Sequence, residues 1–180
     1  MITEQNVELL NRINFRSCLN AMARPGTVFP IEPFFHSAMM ALASVLLYPE
    51  VRFFQQADGD WTMIKAMTGT TEVKESEADY LFLDQPDPDI LTASQHGDQQ
   101  NPERSATLIC SCDSFANGNP VLLRGPGIQG SRRTTLPVPP VFLKRLAQKN
   151  KDFPLGIDLF FLSLDNTVCA LPRTTSVELL

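Results

Sequence analysis

The chain has 180 residues, of which 43% are hydrophobic and 19% charged, with a formal net charge of −5. This length and balance suit one globular domain with its own core and exclude an intrinsically disordered chain. No run of lysine and arginine occurs, and without a basic face nucleic acid is excluded as a partner.

The N-terminal MITEQNVELL lacks the basic start, apolar stretch and cleavage site of a secretory signal. The longest apolar run, Ala38 to Leu47, is too short for a bilayer, which takes about 20 residues. No membrane role is expected, and a reducing cytoplasm fits the cysteines best.

In chain order, the first element is a helix over Asn14–Ala23, where Phe15, Cys18, Leu19 and Met22 form an apolar stripe. Pro25-Gly26 ends it. Residues 27–36 read as a loop or short strand. Ser37 is placed to cap a helix to Tyr48, apolar nearly all round and therefore interior. Val51–Gln55 reads as a strand and Asp60–Thr68 as a helix stopped by Gly69. Tyr80–Leu83 is a strand, and Pro86 and Pro88 open a short helix to Leu91. Ser94–Arg104 is a polar surface loop.

Ala106–Cys112 and Val121–Arg124 are strands separated by the turn-rich Asn117-Gly118-Asn119-Pro120. After GPGIQGSRR, Pro139 and Pro140 suit a first helical turn, and Val141–Lys149 should be helical. Ile157–Leu164 is a strand with which Thr167–Leu171 can pair across Asp165-Asn166. The order of elements gives an α/β class: one domain over 1–180, with a mixed sheet flanked by helices.

Gly125 to Gly130 spells GPGIQG, the letters of a dinucleotide fingerprint. That motif needs a helix starting within it, and SRRTTLPVPP cannot supply one. Two readings remain: a tight turn with solvated arginines, or an anion cradle in which Arg124, Arg132 and Arg133 flank Gly125 and Gly127. Asp158 opens an apolar strand and needs a partner, with Arg173 the obvious one. Either the two lock the last strands together, or Arg173, Thr174 and Thr175 bind phosphate. Cys18, Cys110, Cys112 and Cys169 contain no CxxC. A CxC on a strand could offer two thiols to a soft metal, but zinc needs a second ligand pair, so core thiols are expected and no metal. His36 and His96 are each isolated. No GxSxG, Walker or HExxH motif occurs, so no catalytic residues are assigned.

Four blocks, FRSCLNAMARPGTV, LLRGPGI, FPLGIDLFF and ALPRTTSVE, together resemble the PhnH family of bacterial carbon–phosphorus lyase in order and spacing. Residues 31–104 contribute no matching motif. The resemblance implies a non-catalytic subunit that works with PhnG-, PhnI- and PhnJ-like subunits in a soluble complex. That complex replaces the adenine of ATP with an alkylphosphonate, catalysis being attributed to the PhnI subunit. It also implies a homodimer and a fold similar to pyridoxal-phosphate transferases without the cofactor. The competing readings are an independent nucleotide- or phosphate-binding module using the glycine loop, and a cryptic pyridoxal-phosphate protein.

Overall fold

The computed structural model describes residues 4–180, with side chains from residue 6 onward. A seven-stranded mixed sheet forms its middle layer, in the order β1 (Val28–Pro30), β9 (Thr167–Leu171), β8 (Asp158–Ser163), β5 (Thr107–Cys112), β4 (Tyr80–Leu83), β2 (Arg52–Gln55), β3 (Thr71–Glu72). The run from β3 to β8 is parallel, whereas β9 is antiparallel to β8 and β1 antiparallel to β9.

Alternation along the strands sends side chains to two cores. In β8, Phe160 and Leu162 join one core, and Leu159 and Phe161 the other. The first core is covered by α1 (Glu4–Ala23), α2 (Ala38–Leu46) and α3 (Trp61–Thr68). The second is covered by α4 (Pro88–Ala93), α5 (Pro140–Lys149) and a separate three-stranded sheet ordered β10 (Ser176–Leu179), β6 (Asn119–Arg124), β7 (Arg132–Leu136).

The caps expected of α2 and α3 are present. The Ser37 hydroxyl accepts from the Met40 N–H, the Asp60 carboxylate from the Met63 N–H, and Gly69 ends α3 in the left-handed conformation. Residues 38–43 of α2 are all buried, as its unbroken apolarity requires. On the other side, α4 and α5 are tied by an Arg145–Asp89 ion pair at 2.5 Å and by the Lys149 ammonium, which donates to the carbonyls of Thr92 and Ser94.

Three expectations need correction. Of the stripe Phe15, Cys18, Leu19 and Met22, only Cys18 and Met22 turn inward, while Phe15 and Leu19 are 55% and 58% exposed. The inner face runs through Val7, Leu10, Asn14, Cys18 and Ala21. It is polar in part because Asn14, fully buried, makes a reciprocal pair with the Glu32 backbone: its amide donates to the carbonyl at 2.9 Å, and its oxygen accepts from the N–H at 2.8 Å. Secondly, Asn119 and Pro120 belong to β6, and β6 does not follow β5 in the same sheet. Thirdly, β3, β7 and β10 lie where the sequence reading assigns no strand. RRTTL is polar in all but its last residue, and SVEL, although it alternates, is only four residues long with neither apolar side chain fully buried.

Asn14→Ala leaves the donor and acceptor of Glu32 unpaired under α1. The expected loss is about 1–3 kcal/mol, because Glu32 is itself exposed and water can take up part of the two orphaned groups. Urea denaturation of the variant checks it.

Candidate functional site

The residues singled out as Asp158 and Arg173 meet where the large sheet ends and the chain leaves it. Asp158 is the first residue of β8, and Leu159 pairs with Leu171, the last residue of β9. Arg173 therefore arrives opposite the carboxylate two residues after β9 ends. Its backbone N–H donates to Asp158 Oδ1 at 2.8 Å, Nε reaches both carboxylate oxygens at 3.2–3.3 Å, and Nη2 donates to Oδ2 at 2.5 Å. Nη1 donates to the Pro102 carbonyl at 3.0 Å. About a fifth of each side chain is exposed (18% and 21%), so the pair is only partly screened by water. The Pro102 contact had no signal in the sequence, because it comes from a backbone carbonyl in an aperiodic loop.

The glycine loop lies next to this pair. GPGIQG connects the antiparallel strands β6 and β7, and no helix follows it. A Cβ on Gly125 (φ 145) would sit 2.7 Å from the Thr174 carbonyl oxygen. One on Gly127 (φ 80) would sit 2.2 Å from the Ala23 oxygen, at the end of α1. These glycines thus allow the loop to pass between the end of α1 and the segment after β9. The flanking arginines do not converge on it. Arg124 pairs with Glu178 on β10 at 2.9 Å, Arg132 donates to the Pro25 carbonyl at 3.1 Å and to the Thr27 hydroxyl, and Arg133 is exposed.

Of the proposed residues, Arg173 and Thr174 line a cavity of about 550 Å3, together with Lys151, Phe153 and Ser176. Pro126 brings the glycine loop to its wall. Among the described residues, Lys151 and Arg173 are the charged ones lining it. Thr175 also lines it; its Oγ1 is buried and has no hydrogen-bond partner. Arg124, Arg132 and Asp158 are not among the lining residues.

Comparison with known proteins places the chain. A family model described as "Bacterial phosphonate metabolism protein (PhnH)" matches residues 6–178. The chain belongs to the PhnH family. It is 31% identical to the alpha-D-ribose 1-methylphosphonate 5-triphosphate synthase subunit PhnH of Rhizobium meliloti (strain 1021), over 91% of this chain and 88% of that protein. It is 28% identical to the putative C-P lyase subunit protein HtxG of Stutzerimonas stutzeri, over 92% of this chain and 84% of that protein.

The cysteines of this PhnH-family chain lie in its two cores. Cys110 and Cys112 share a face of β5, as the CxC spacing requires, and Cys18 belongs to the other core; Cys169, buried in β9, pairs in register with Phe161 and so faces the side of Cys110. Burial pushes the thiols of Cys18 and Cys112 up to about 12 and that of Cys169 up to about 11, and raises Cys110 further. Among the described residues, no group of three His, Cys, Asp or Glu side chains gathers to hold a metal. His36 and His96 are both exposed, and His96 uses its backbone carbonyl to accept from the Gly156 N–H.

Two outcomes follow for PhnH-family stability. Arg173→Ala strands a carboxylate held otherwise only by a backbone N–H, and should cost about 2–4 kcal/mol, below the 3–5 kcal/mol of a fully buried pair. Asp158→Asn combined with Arg173→Ala should cost less than the two single losses added, measured by denaturation. The second outcome concerns pH. Unfolded thiols ionise near 9.0, whereas the folded chain keeps those of Cys18, Cys112 and Cys169 protonated to about 11–12. Between those values the unfolded state binds fewer protons, so stability falls as pH rises, at about 1.4 kcal/mol per pH unit for each fully titrating thiol. Lys149, lowered by burial from 10.5 to about 8, acts in the opposite sense but is one group against four. Thiolate absorbance of the native protein should stay flat to about pH 10 and step near pH 9 in urea.

Proposed function

We propose that this chain is a non-catalytic subunit of the carbon–phosphorus lyase machinery. It would work with PhnG-, PhnI- and PhnJ-like subunits as the ribose triphosphate of ATP is transferred to an alkylphosphonate and adenine is released. The observation that carries this reading is the family match over residues 6–178, together with relatives covered over 84–88% of their own length, whose names describe subunits. The geometry supports a supporting role over a chemical one. Arg173 is committed to Asp158 and Pro102, the thiols are held protonated by burial, and the histidines are dispersed. On this reading Asp158 and Arg173 form a structural lock, the chain forms a homodimer, and it resides in the cytoplasm. No helix among the described residues is long and apolar enough to cross a membrane, which is consistent with that residence.

The implied kinship with pyridoxal-phosphate transferases belongs to the same reading, as a fold used without the cofactor. Lysine placement supports it. Lys65 pairs with Glu72 at 2.9 Å, Lys149 is held by two carbonyls, and Lys74, Lys144 and Lys151 are exposed. A Schiff-base lysine requires instead a site with an acidic partner for the ring nitrogen.

A second reading rests on the cavity beside the glycine loop. Lys151 and the hydroxyl-bearing Thr174 and Ser176 suit a phosphate-bearing ligand, as an independent nucleotide- or phosphate-binding module would require. One experiment separates the two. Co-expressed with its PhnG-, PhnI- and PhnJ-like partners, the chain should co-elute with them on size exclusion, while the isolated chain binds ATP weakly or not at all. Elution alone, with micromolar ATP affinity, overturns the subunit reading in favour of the module.

A further inference from the structure

The cavity of about 550 Å3 lies between the C-terminal end of α5 and the segment that carries the chain from β9 to β10. Its charge runs against that of a chain with a net −5: among the described residues, Lys151 and Arg173 line it and no aspartate or glutamate does. The two cations differ in what they have left to give. Arg173 is neutralised by Asp158, and one N–H each of Nε, Nη1 and Nη2 is engaged by that carboxylate or by the Pro102 carbonyl. A guanidinium has five N–H groups, so two remain as donors that add no net charge. Lys151 is exposed and takes part in no ion pair among the described residues, so it is the uncompensated positive charge of the cavity.

Hydroxyl groups add to the donors. Thr174, Thr175 and Ser176 follow Arg173 directly in the lining. Thr175 is 6% exposed, and its Oγ1 has no hydrogen-bond partner, although its backbone N–H donates to the Pro172 carbonyl at 2.8 Å. A buried hydroxyl left unpaired costs free energy, and such a group in a native fold calls for a partner that the chain itself does not supply. The rest of the lining is largely apolar, with Leu146, Val177 and Phe153, the last 66% exposed.

These groups select a ligand by charge and by shape. An ammonium, spare guanidinium N–H groups and hydroxyls together suit a tetrahedral oxyanion. One uncompensated positive charge matches one such group. Three phosphoryl groups in a row would leave most of their charge unmatched where water is partly excluded. The exposed Phe153 ring and the aliphatic lining suit an apolar substituent carried on that group.

We propose that this cavity binds a single phosphonate or phosphate-monoester group bearing an apolar substituent the size of a ring. Lys151 pairs with the oxyanion, the spare N–H groups of Arg173 and the Thr175 hydroxyl donate to its oxygens, and Phe153 covers the substituent. This rests on the phosphate-binding reading of the cavity given above, narrows its ligand from a nucleotide to a lone phosphoryl-type group, and holds whether the chain works alone or as a subunit.

The test is calorimetric titration of the full, isolated chain with phenylphosphonate as the probe. Phenylphosphonate and phenyl phosphate should both saturate one site, and whichever binds more tightly names the source of the group. Methylphosphonate and inorganic phosphate leave Phe153 uncovered and should bind about tenfold more weakly. ATP, whose charge one ammonium cannot match, should bind no better than these. Lys151→Met should weaken phenylphosphonate about tenfold without moving the melting temperature. Thr175→Val should weaken it as well yet melt no lower than wild type, since the hydroxyl has no partner to lose. Wild-type affinity in both variants, or no saturable binding of phenylphosphonate, overturns the site. A lower melting temperature for Thr175→Val overturns the hydroxyl's place in it. ATP binding more tightly than phenylphosphonate overturns the lone-group ligand and leaves the nucleotide module standing, while co-elution with the partner subunits decides the subunit reading separately.

Discussion

The carboxylate of Asp158 is the constraint on which the rest of the architecture turns. An ionised group at the head of a strand buried on both faces is tolerable only with its oxygens saturated. Here one arginine supplies both a guanidinium fork and a backbone N–H. Because Asp158 also pairs in register with Thr107 of β5, the same contact fixes the edge of the parallel run against the antiparallel β9. The arginine's remaining arm on Pro102 ties in the polar loop that precedes β5.

From that point the chain changes sheets. Residues 172–175 carry it from β9 in the large sheet to β10 in the small one, and the Thr175 N–H closes a turn on the Pro172 carbonyl at 2.8 Å. Gly125 can then lie against Thr174, and Gly127 against the end of α1. Three segments distant in sequence are thereby stacked with backbone nearly touching backbone. Motifs that look like ligand-binding signatures, GPG and PRTT, occur where the fold needs close approach and charge neutralisation.

The sequence disclosed these features unevenly. The caps Ser37, Asp60 and Gly69, the strands Tyr80–Leu83 and Thr107–Cys112, and the Asp158–Arg173 partnership were legible because each depends on local chemistry or on a charge that must be matched. Of the small sheet only β6 was legible: RRTTL is polar in all but its last residue, and SVEL is too short for its alternation to stand out. The inner face of α1 was misread because Asn14 and Ser17 lie on it, and apolar periodicity cannot detect a polar residue satisfied by a distant backbone. The candidate site was half legible. Residue types picked out Arg173, Thr174 and the glycines, but only tertiary structure shows Arg124 and Arg132 turned to other partners. The positive φ of Phe35 and His36 (48° and 61°) had no signal, because it runs against the preference of L side chains.

The distribution of polar and apolar groups completes the physical case. Several cations are tied to carboxylates and carbonyls, as with Arg145 on Asp89 and Lys149 on Thr92 and Ser94. Large apolar side chains meanwhile stand outside, among them Leu9, Phe15, Leu19 and Phe35. Single exposed apolar residues are ordinary. Phe15 and Leu19, however, lie four residues apart and therefore neighbour each other on one side of α1, in a helix whose opposite side is fully engaged with α2 and β9. Such a helix face gains stability only when covered. Covering the Phe15–Leu19 pair would remove apolar area from water, which the subunit reading proposed above accommodates.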